Sequence, residues 1–274
     1  MLSEQQLKDI KELQHICEEG ESFQLKLNWD MLQARTERND FFQYEDGKLV
    51  GFLGLYGFGN KVEVCGMVHP DFRRKGKFTE LYRKAEEVMK ERGYQEILLN
   101  TPSSSQSGQG FLQTVPCTYA FSEHQMKWQQ KELSLNHDVQ LRPSTPEDLD
   151  TEISLDVQCF HFDENDAREF NERIRRESME ELYIIEYEGT SVGKVRVSHY
   201  GGEAWIYGFA IFPAYQGKGI GRKVLSNIIL QEHEKGFPIF LEVEAKNTHA
   251  LKLYESCGFA SYHSQDYYQM RIPF

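Results

Sequence analysis

A repeat of domain length constrains this chain more than any other feature. The segment Met67-Val68-His69-Pro70-Asp71-Phe72-Arg73-Arg74-Lys75-Gly76-Lys77 is paralleled by Ala210-Ile211-Phe212-Pro213-Ala214-Tyr215-Gln216-Gly217-Lys218-Gly219-Ile220. Pro70 pairs with Pro213 and Gly76 with Gly219 at one shared offset, longer than half of the 274 residues. A Val-Gly inside an extended stretch precedes each copy (Val50-Gly51, Val192-Gly193), one residue out of that register. A second strand, the Pro- and Gly-containing loop, a helix and a further strand follow in both. A period this long implies two similar domains rather than a solenoid of short units. Strands alternating with helices place each in the α/β class, whose ligands bind at strand ends or where neighbouring strands part.

The first copy opens on Ser3-Glu4-Gln5-Gln6, a capping-box pattern, with Leu7, Ile10, Leu13 and Cys17 on one helical stripe that ends at Gly20. Strands are predicted at Phe41–Tyr44 and Leu49–Phe58 across the turn Glu45-Asp46-Gly47-Lys48, and at Lys61–Val68. A helix over Phe78–Arg92 stops at Gly93, and a strand runs through Ile97-Leu98-Leu99. A polar stretch at Lys131–Asp138 is the linker, which divides the chain into domains at 1–130 and 138–274. In the second, Thr145-Pro146-Glu147-Asp148 starts a helix with the apolar stripe Leu149, Ile153, Val157 and Phe160. Strands at Leu182–Tyr187, Val192–His199 and Ala204–Ile211, a helix over Ile220–Lys235, a strand over Pro238–Glu244 and a short helix over Asn247–Cys257 complete it.

With 39% hydrophobic and 27% charged residues the chain is globular rather than disordered or fibrous. No apolar run approaches a membrane span and the start lacks a signal-peptide pattern, so a cytoplasmic protein without membrane contact is expected. Five scattered cysteines (Cys17, Cys65, Cys117, Cys159, Cys257) without a C-x-x-C pair support neither a disulfide framework nor a metal site. A net charge of -12 argues against a nucleic-acid surface and mildly favours a cationic partner.

The sharpest motif is Gln216-Gly217-Lys218-Gly219-Ile220-Gly221-Arg222, between a predicted strand and a predicted helix. Glycines there let backbone N–H groups approach a phosphate, and the helix N-terminus favours an anion. It fits neither G-x-G-x-x-G nor the P-loop, because Gly219 follows Lys218 where the latter has Ser or Thr. An ordinary turn is the alternative. Preceded by Ala210-Ile211-Phe212-Pro213 and followed by Asn247-x-x-Ala250-x-x-Leu253-Tyr254-x-x-x-Gly258-Phe259, the Q-x-x-G-x-G pattern resembles the GCN5-related N-acetyltransferase (GNAT) superfamily. The resemblance is specific over about residues 190–260 and extends to the domain start at Val139-Gln140-Leu141-Arg142-Pro143.

The resemblance implies two tandem acyl-CoA N-acyltransferase domains, each a mixed, mostly antiparallel central sheet flanked by helices. It also implies acetyl-CoA as co-substrate, without a metal. Phe209, Ala210 and Ile211 match the strand whose backbone holds the pantetheine arm and the thioester carbonyl. Gln216, Gly217, Lys218, Gly219, Ile220, Gly221 and Arg222 match the pyrophosphate loop. Asn247 matches a cofactor contact, with helix capping as its other reading. Tyr254 matches the general acid that protonates the departing thiolate, against a core tyrosine; Glu242 matches a general base, with Glu244 beside it on the same strand face.

The acidic run His161–Asp166 is either an acceptor contact or a solvated helix start. The implied reaction is direct attack of a primary amine, from a small molecule or a peptide, in a ternary complex. That makes the chain an acyltransferase acting on groups other than amino-acyl groups. A non-catalytic acyl-CoA sensor or scaffold is the alternative, and either a monomer or a homodimer is compatible. The first copy departs from the pattern, as Phe78 replaces the last small residue of the loop, Leu99 stands opposite Glu242 and Phe111 or Leu112 opposite Tyr254. It is therefore expected to be a degenerate domain, with catalysis in the second copy, an arrangement also found in mycothiol synthase-like proteins.

Overall fold

The structure, a computed structural model, describes residues 1–35, 37–177 and 181–271. In chain order its elements are α1 (Glu4–Glu18), α2 (Trp29–Gln33), β1 (Asp40–Glu45), β2 (Lys48–Phe58), β3 (Lys61–Val68), α3 (Lys77–Glu91), β4 (Glu96–Pro102), α4 (Gln106–Leu112) and β5 (Cys117–Trp128). They continue with β6 (Val139–Pro143), α5 (Leu149–Phe160), α6 (Glu164–Glu177), β7 (Glu181–Tyr187), β8 (Thr190–Tyr200), β9 (Glu203–Ile211), α7 (Ile220–Glu234), β10 (Ile239–Glu244), α8 (Thr248–Ser256) and β11 (Phe259–Met270). The chain forms two units, residues 1–122 with the stretch from His263, and Glu123–Tyr262. The sequence division at 130 and 138 leaves β5 wholly with the first copy. In the structure Glu123–Lys127 pair with β10 in the second unit, and Gln265–Gln269 pair with β4 in the first.

The first unit starts as its sequence predicts. The hydroxyl of Ser3 accepts from the Gln6 N–H at 3.2 Å, and the Gln6 side chain accepts from the Ser3 N–H at 2.9 Å. Its strands run β1-β2-β3-β4 and then the second half of β11, antiparallel except for the parallel β3/β4 pair. Successive residues of β2 face opposite ways. Phe52 and Tyr56 meet Ile10, Leu13 and Cys17 of α1, while Leu53 and Leu55 meet Leu81, Ala85 and Met89 of α3.

The second unit repeats this plan with β5-β10-β9-β8-β7-β6, parallel only between β10 and β9. Helix α7 packs Val224, Leu225, Ile228 and Ile229 onto Val195, Val197, Ile206, Leu241 and Val243. The face under α5 is not apolar. At the offset that relates Gly51 to Gly193, Phe52 corresponds to Lys194 and Ile10 to Glu152. Lys194 Nζ lies 2.7 Å from Asp156, with side-chain exposures of 4% and 2%, and donates to the Asn171 amide oxygen at 3.3 Å. Asn171 donates to Asp156 at 2.5 Å, and Arg175 holds Glu152 at 2.8 Å. This rotates α5 away from the expected stripe. Its buried face is Glu152, Ile153, Leu155 and Asp156, and Phe160 is exposed, because a buried lysine requires an opposite charge and hydrogen-bond acceptors.

Candidate functional site

The site of the second unit begins where two strands part. Strands β9 and β10 pair at Ala204 with Ile239, Trp205 with Phe240 and Ile206 with Leu241; among the described residues no pair follows. On its other side β9 carries a bulge, since Arg196 pairs with Tyr207 and Lys194 with Ala210, leaving an extra residue on β9. Gly208 absorbs it at φ +55, where a Cβ would stand 3.2 Å from the Arg196 guanidinium. The backbone of Phe209, Ala210 and Ile211 therefore leaves the ladder with β10 and has an open side.

The chain then turns through Pro213–Tyr215 into the glycine loop. The Ile211 carbonyl accepts from Gln216 Nε2 at 2.8 Å and from the Cys159 thiol at 3.3 Å, which fixes the strand end. Gly217 and Gly219 adopt φ +73 and +79, and Gly219 occupies the N-cap of α7 without a side-chain cap. Lys223 is the first α7 residue whose N–H finds a backbone acceptor, Gly219 O at 3.3 Å. The N–H groups of Ile220, Gly221 and Arg222 are thus the unsatisfied first turn that suits an anion. No atom lies within 4 Å of where a Cβ would sit on Gly217 or Gly219. Donors, open space and the neighbouring Lys218 and Arg222 fit a diphosphate.

Asn247 caps α8, its side-chain oxygen accepting from the Ala250 N–H at 3.1 Å, so the capping reading is realised. Tyr254 is buried on α8, edge-on to Phe259, and burial pushes its phenol up to about 12. Glu244 is 43% exposed and lies 3.3 Å from Lys246. Glu242, also half-buried, accepts from Gln125 Nε2 at 3.0 Å. Trp205 stacks on Tyr207 and on Phe240, and Phe240 meets Tyr262, so an aromatic floor continues from the carboxylate's strand. Gln125, Trp205, Tyr207, Phe240 and Tyr262 were not singled out from sequence; period-two alternation along β9 and β10 carries the signal for Trp205, Tyr207 and Phe240. Cys257 is fully buried with its thiol pushed up by burial, a poor nucleophile. The run His161–Asp166 contains the start of α6 at Glu164, as its helix-start reading requires. Among the described residues no group of His, Cys, Asp and Glu is arranged to hold a metal, and no helix is long and apolar enough to cross a membrane.

Residues 5–114 and 148–259 each match the acetyltransferase (GNAT) family. The chain belongs to that family. Its GNAT fold is shared with a GCN5-related N-acetyltransferase from Sphaerobacter thermophilus at a TM-score of 0.74 and 17% identity, covering 95% of this chain and 91% of that one. A tandem GNAT protein from the clavulanic acid biosynthesis pathway aligns at a TM-score of 0.72 and 14% identity, covering 97% and 95%. Among curated relatives, N-alpha-acetyltransferase RimI of Mycobacterium tuberculosis is 39% identical over 75 residues, 26% of this chain and 46% of the relative. Spermine/spermidine N(1)-acetyltransferase of Bacillus subtilis is 42% identical over 60 residues, 21% of this chain and 40% of the relative. The chain spans less than half the length of these curated relatives.

The first GNAT domain keeps the frame of the second. Strands β3 and β4 part after Val64 and Leu99, and Gly76 caps α3 at φ +76. The Val68 carbonyl accepts from Arg73 Nε at 3.1 Å and from the Cys17 thiol at 3.4 Å, the counterpart of the contacts at Ile211. Phe78 is a smaller departure than the sequence implies. A Cβ on Gly66 would lie 2.8 Å from the Phe78 ring, whereas in the second domain the ring of Phe209 faces Gly221. At the repeat offset these are the same two positions with ring and glycine exchanged. The larger departure is in β3, which pairs with β2 without a bulge. Phe111, packed on Phe78 and Tyr82, brings no hydroxyl, and Leu99 no carboxylate.

Proposed function

We propose that this GNAT chain is an N-acetyltransferase that moves the acetyl group of acetyl-CoA to a primary amine by direct attack in a ternary complex. The second domain, read from sequence as 138–274, is assigned the catalysis, and the first, 1–130, is degenerate. The observation that carries the reading is the parting of β9 from β10 at a bulge, directly before a glycine loop that opens a helix. The first domain has the loop without the bulge.

Bound acetyl-CoA supplies the activated acyl group. Ile220, Gly221 and Arg222 would hold its diphosphate through their N–H groups, with Gln216–Gly219 shaping the turn, and the open backbone of Phe209–Ile211 would hold the pantetheine arm and the thioester oxygen. Asn247 orders the start of α8 beside it. The amine reaches the site as an ammonium, and losing a proton near neutral pH costs about 4–5 kcal/mol for a lysine-like group. Glu242 takes that proton through ordered water. As the new N–C bond forms and the C–S bond breaks, Tyr254 donates to the sulfur. The carboxylates of Glu242 and Glu244 and the faces of Trp205, Tyr207 and Phe240 favour a cationic acceptor, as does the net charge of -12. Polyamines and α-amino groups of peptides, suggested by the names spermine/spermidine N(1)-acetyltransferase and N-alpha-acetyltransferase of the two curated relatives, are the first to try.

The purified chain, given acetyl-CoA and a panel of spermidine, spermine and an alanine-initiated peptide, is expected to release thiol only with an amine present. Calorimetric binding of acetyl-CoA without amine-dependent thiol release would instead make the chain a sensor or scaffold.

A further inference from the structure

Glu242 is held by a residue that lies outside the sequence motif and before the linker. In the antiparallel β5/β10 pair, Gln125 stands directly opposite Glu242, Lys127 opposite Phe240 and Glu123 opposite Glu244. Gln125 is 5% exposed, and its Nε2 donates to Glu242 Oε1 at 3.0 Å. The orientation of the amide is dictated chemically, because the reversed amide would aim its carbonyl oxygen at a carboxylate. Among the described residues the Oε1 of Gln125 has no partner, so the hydrogen bond to Glu242 is the one this buried side-chain amide makes.

The other charged and titratable groups around the carboxylate come from four strands. They are Glu244 on β10, Glu123 and Lys127 on β5, and Glu203 on β9; Tyr262 on β11 feels the charges of both Glu203 and Glu242. Acidic groups outnumber Lys127 in this set. A neutral donor fixes the Glu242 carboxylate without adding charge that would repel a cationic amine.

We propose that Gln125 is the positioning residue of the transfer, which orients the Glu242 carboxylate toward the acceptor. The inference rests on the role given to Glu242 above. It makes the second site depend on a strand contributed from upstream of the linker.

The test uses the full chain with acetyl-CoA and whichever panel amine it turns over fastest, and follows kcat/KM against pH. Gln125→Met keeps the volume and removes the donor; Gln125→Glu replaces the donor with a second carboxylate. Both are expected to move the acid limb of the profile to higher pH, Gln125→Glu further than Gln125→Met because it adds a like charge as well as removing the donor, with acetyl-CoA affinity unchanged by calorimetry. Glu242→Gln is expected to abolish that limb and most of the activity. Wild-type profiles in both Gln125 variants, beside an impaired Glu242→Gln, overturn the inference and leave the acetyltransferase reading standing. Full activity with an unchanged profile in Glu242→Gln overturns the role of the carboxylate and the inference with it.

Discussion

Tyr254 is 8% exposed, and its phenol, pushed up to about 12, stands more than three pH units above a thiol of about 8.5. The sequence motif alone suggests two groups of nearly matched acidity. Burial removes that match, so the tyrosine stays protonated through the neutral range, which suits the proposed role of hydrogen-bond donor to the departing sulfur. Tyr254→Phe is expected to lower kcat about 10²-fold while calorimetry returns a nearly unchanged affinity for acetyl-CoA. No alkaline limb below about pH 10 should be traceable to this group. A second residue-level consequence lies in the first domain. Asp40, paired with Arg35 at 2.7 Å and 5% exposed, is pushed up to about 6, mainly by burial and against the pull of the guanidinium. Its folded value exceeds the unfolded value of 3.8, so its stabilising contribution is complete below about pH 4 and is lost as pH rises through 6. Relative to Asp40→Asn, the native chain should lose on the order of 1–3 kcal/mol between pH 4 and 7, read from urea midpoints at each pH.

Among the elements, the layer under α5 shows how one fold accepts opposite chemistry. Phe52 and Ile10 fill it with hydrocarbon in the first domain, and Lys194, Asp156, Glu152, Asn171 and Arg175 fill it with charge and amide in the second. Removing one member of a buried pair strands the other, whereas removing both is cheap. Lys194→Met should cost about 3–5 kcal/mol in chemical denaturation, and Lys194→Met with Asp156→Leu much less. Where an element's signal was local, the sequence carried it. The Ser3 capping box, the glycines that close α3, α7 and α8, and the alternation in β3 and β10 placed those elements within about two residues. The bulge at Gly208 was hidden because Trp205–Ile211 reads as an unbroken strand; an extra residue shows only against its partner. Strands β5 and β11 escaped for a related reason, since their burial does not alternate cleanly and their partners lie far away in the chain.

For the molecule as a whole, the repeat revealed two domains, but the ownership of β5 could not be read from it. The fragment 138–274 lacks Glu123–Lys127, the ladder partners of Phe240–Glu244, and Trp128, whose indole N–H donates to the Cys257 carbonyl at 3.0 Å. It should be insoluble or lack a cooperative thermal transition, whereas a chain starting before Cys117 keeps that strand; circular dichroism on heating distinguishes them. The exchanged ring and glycine carry a consequence for ancestry and for engineering alike. A crossover between the two copies that falls after Gly66 and before Phe78 would join glycine to glycine in one product and ring to ring in the other, a void beside a collision. Each copy is therefore protected against being overwritten piecemeal by its sibling, and a working chimera has to transplant that strand and helix as one block.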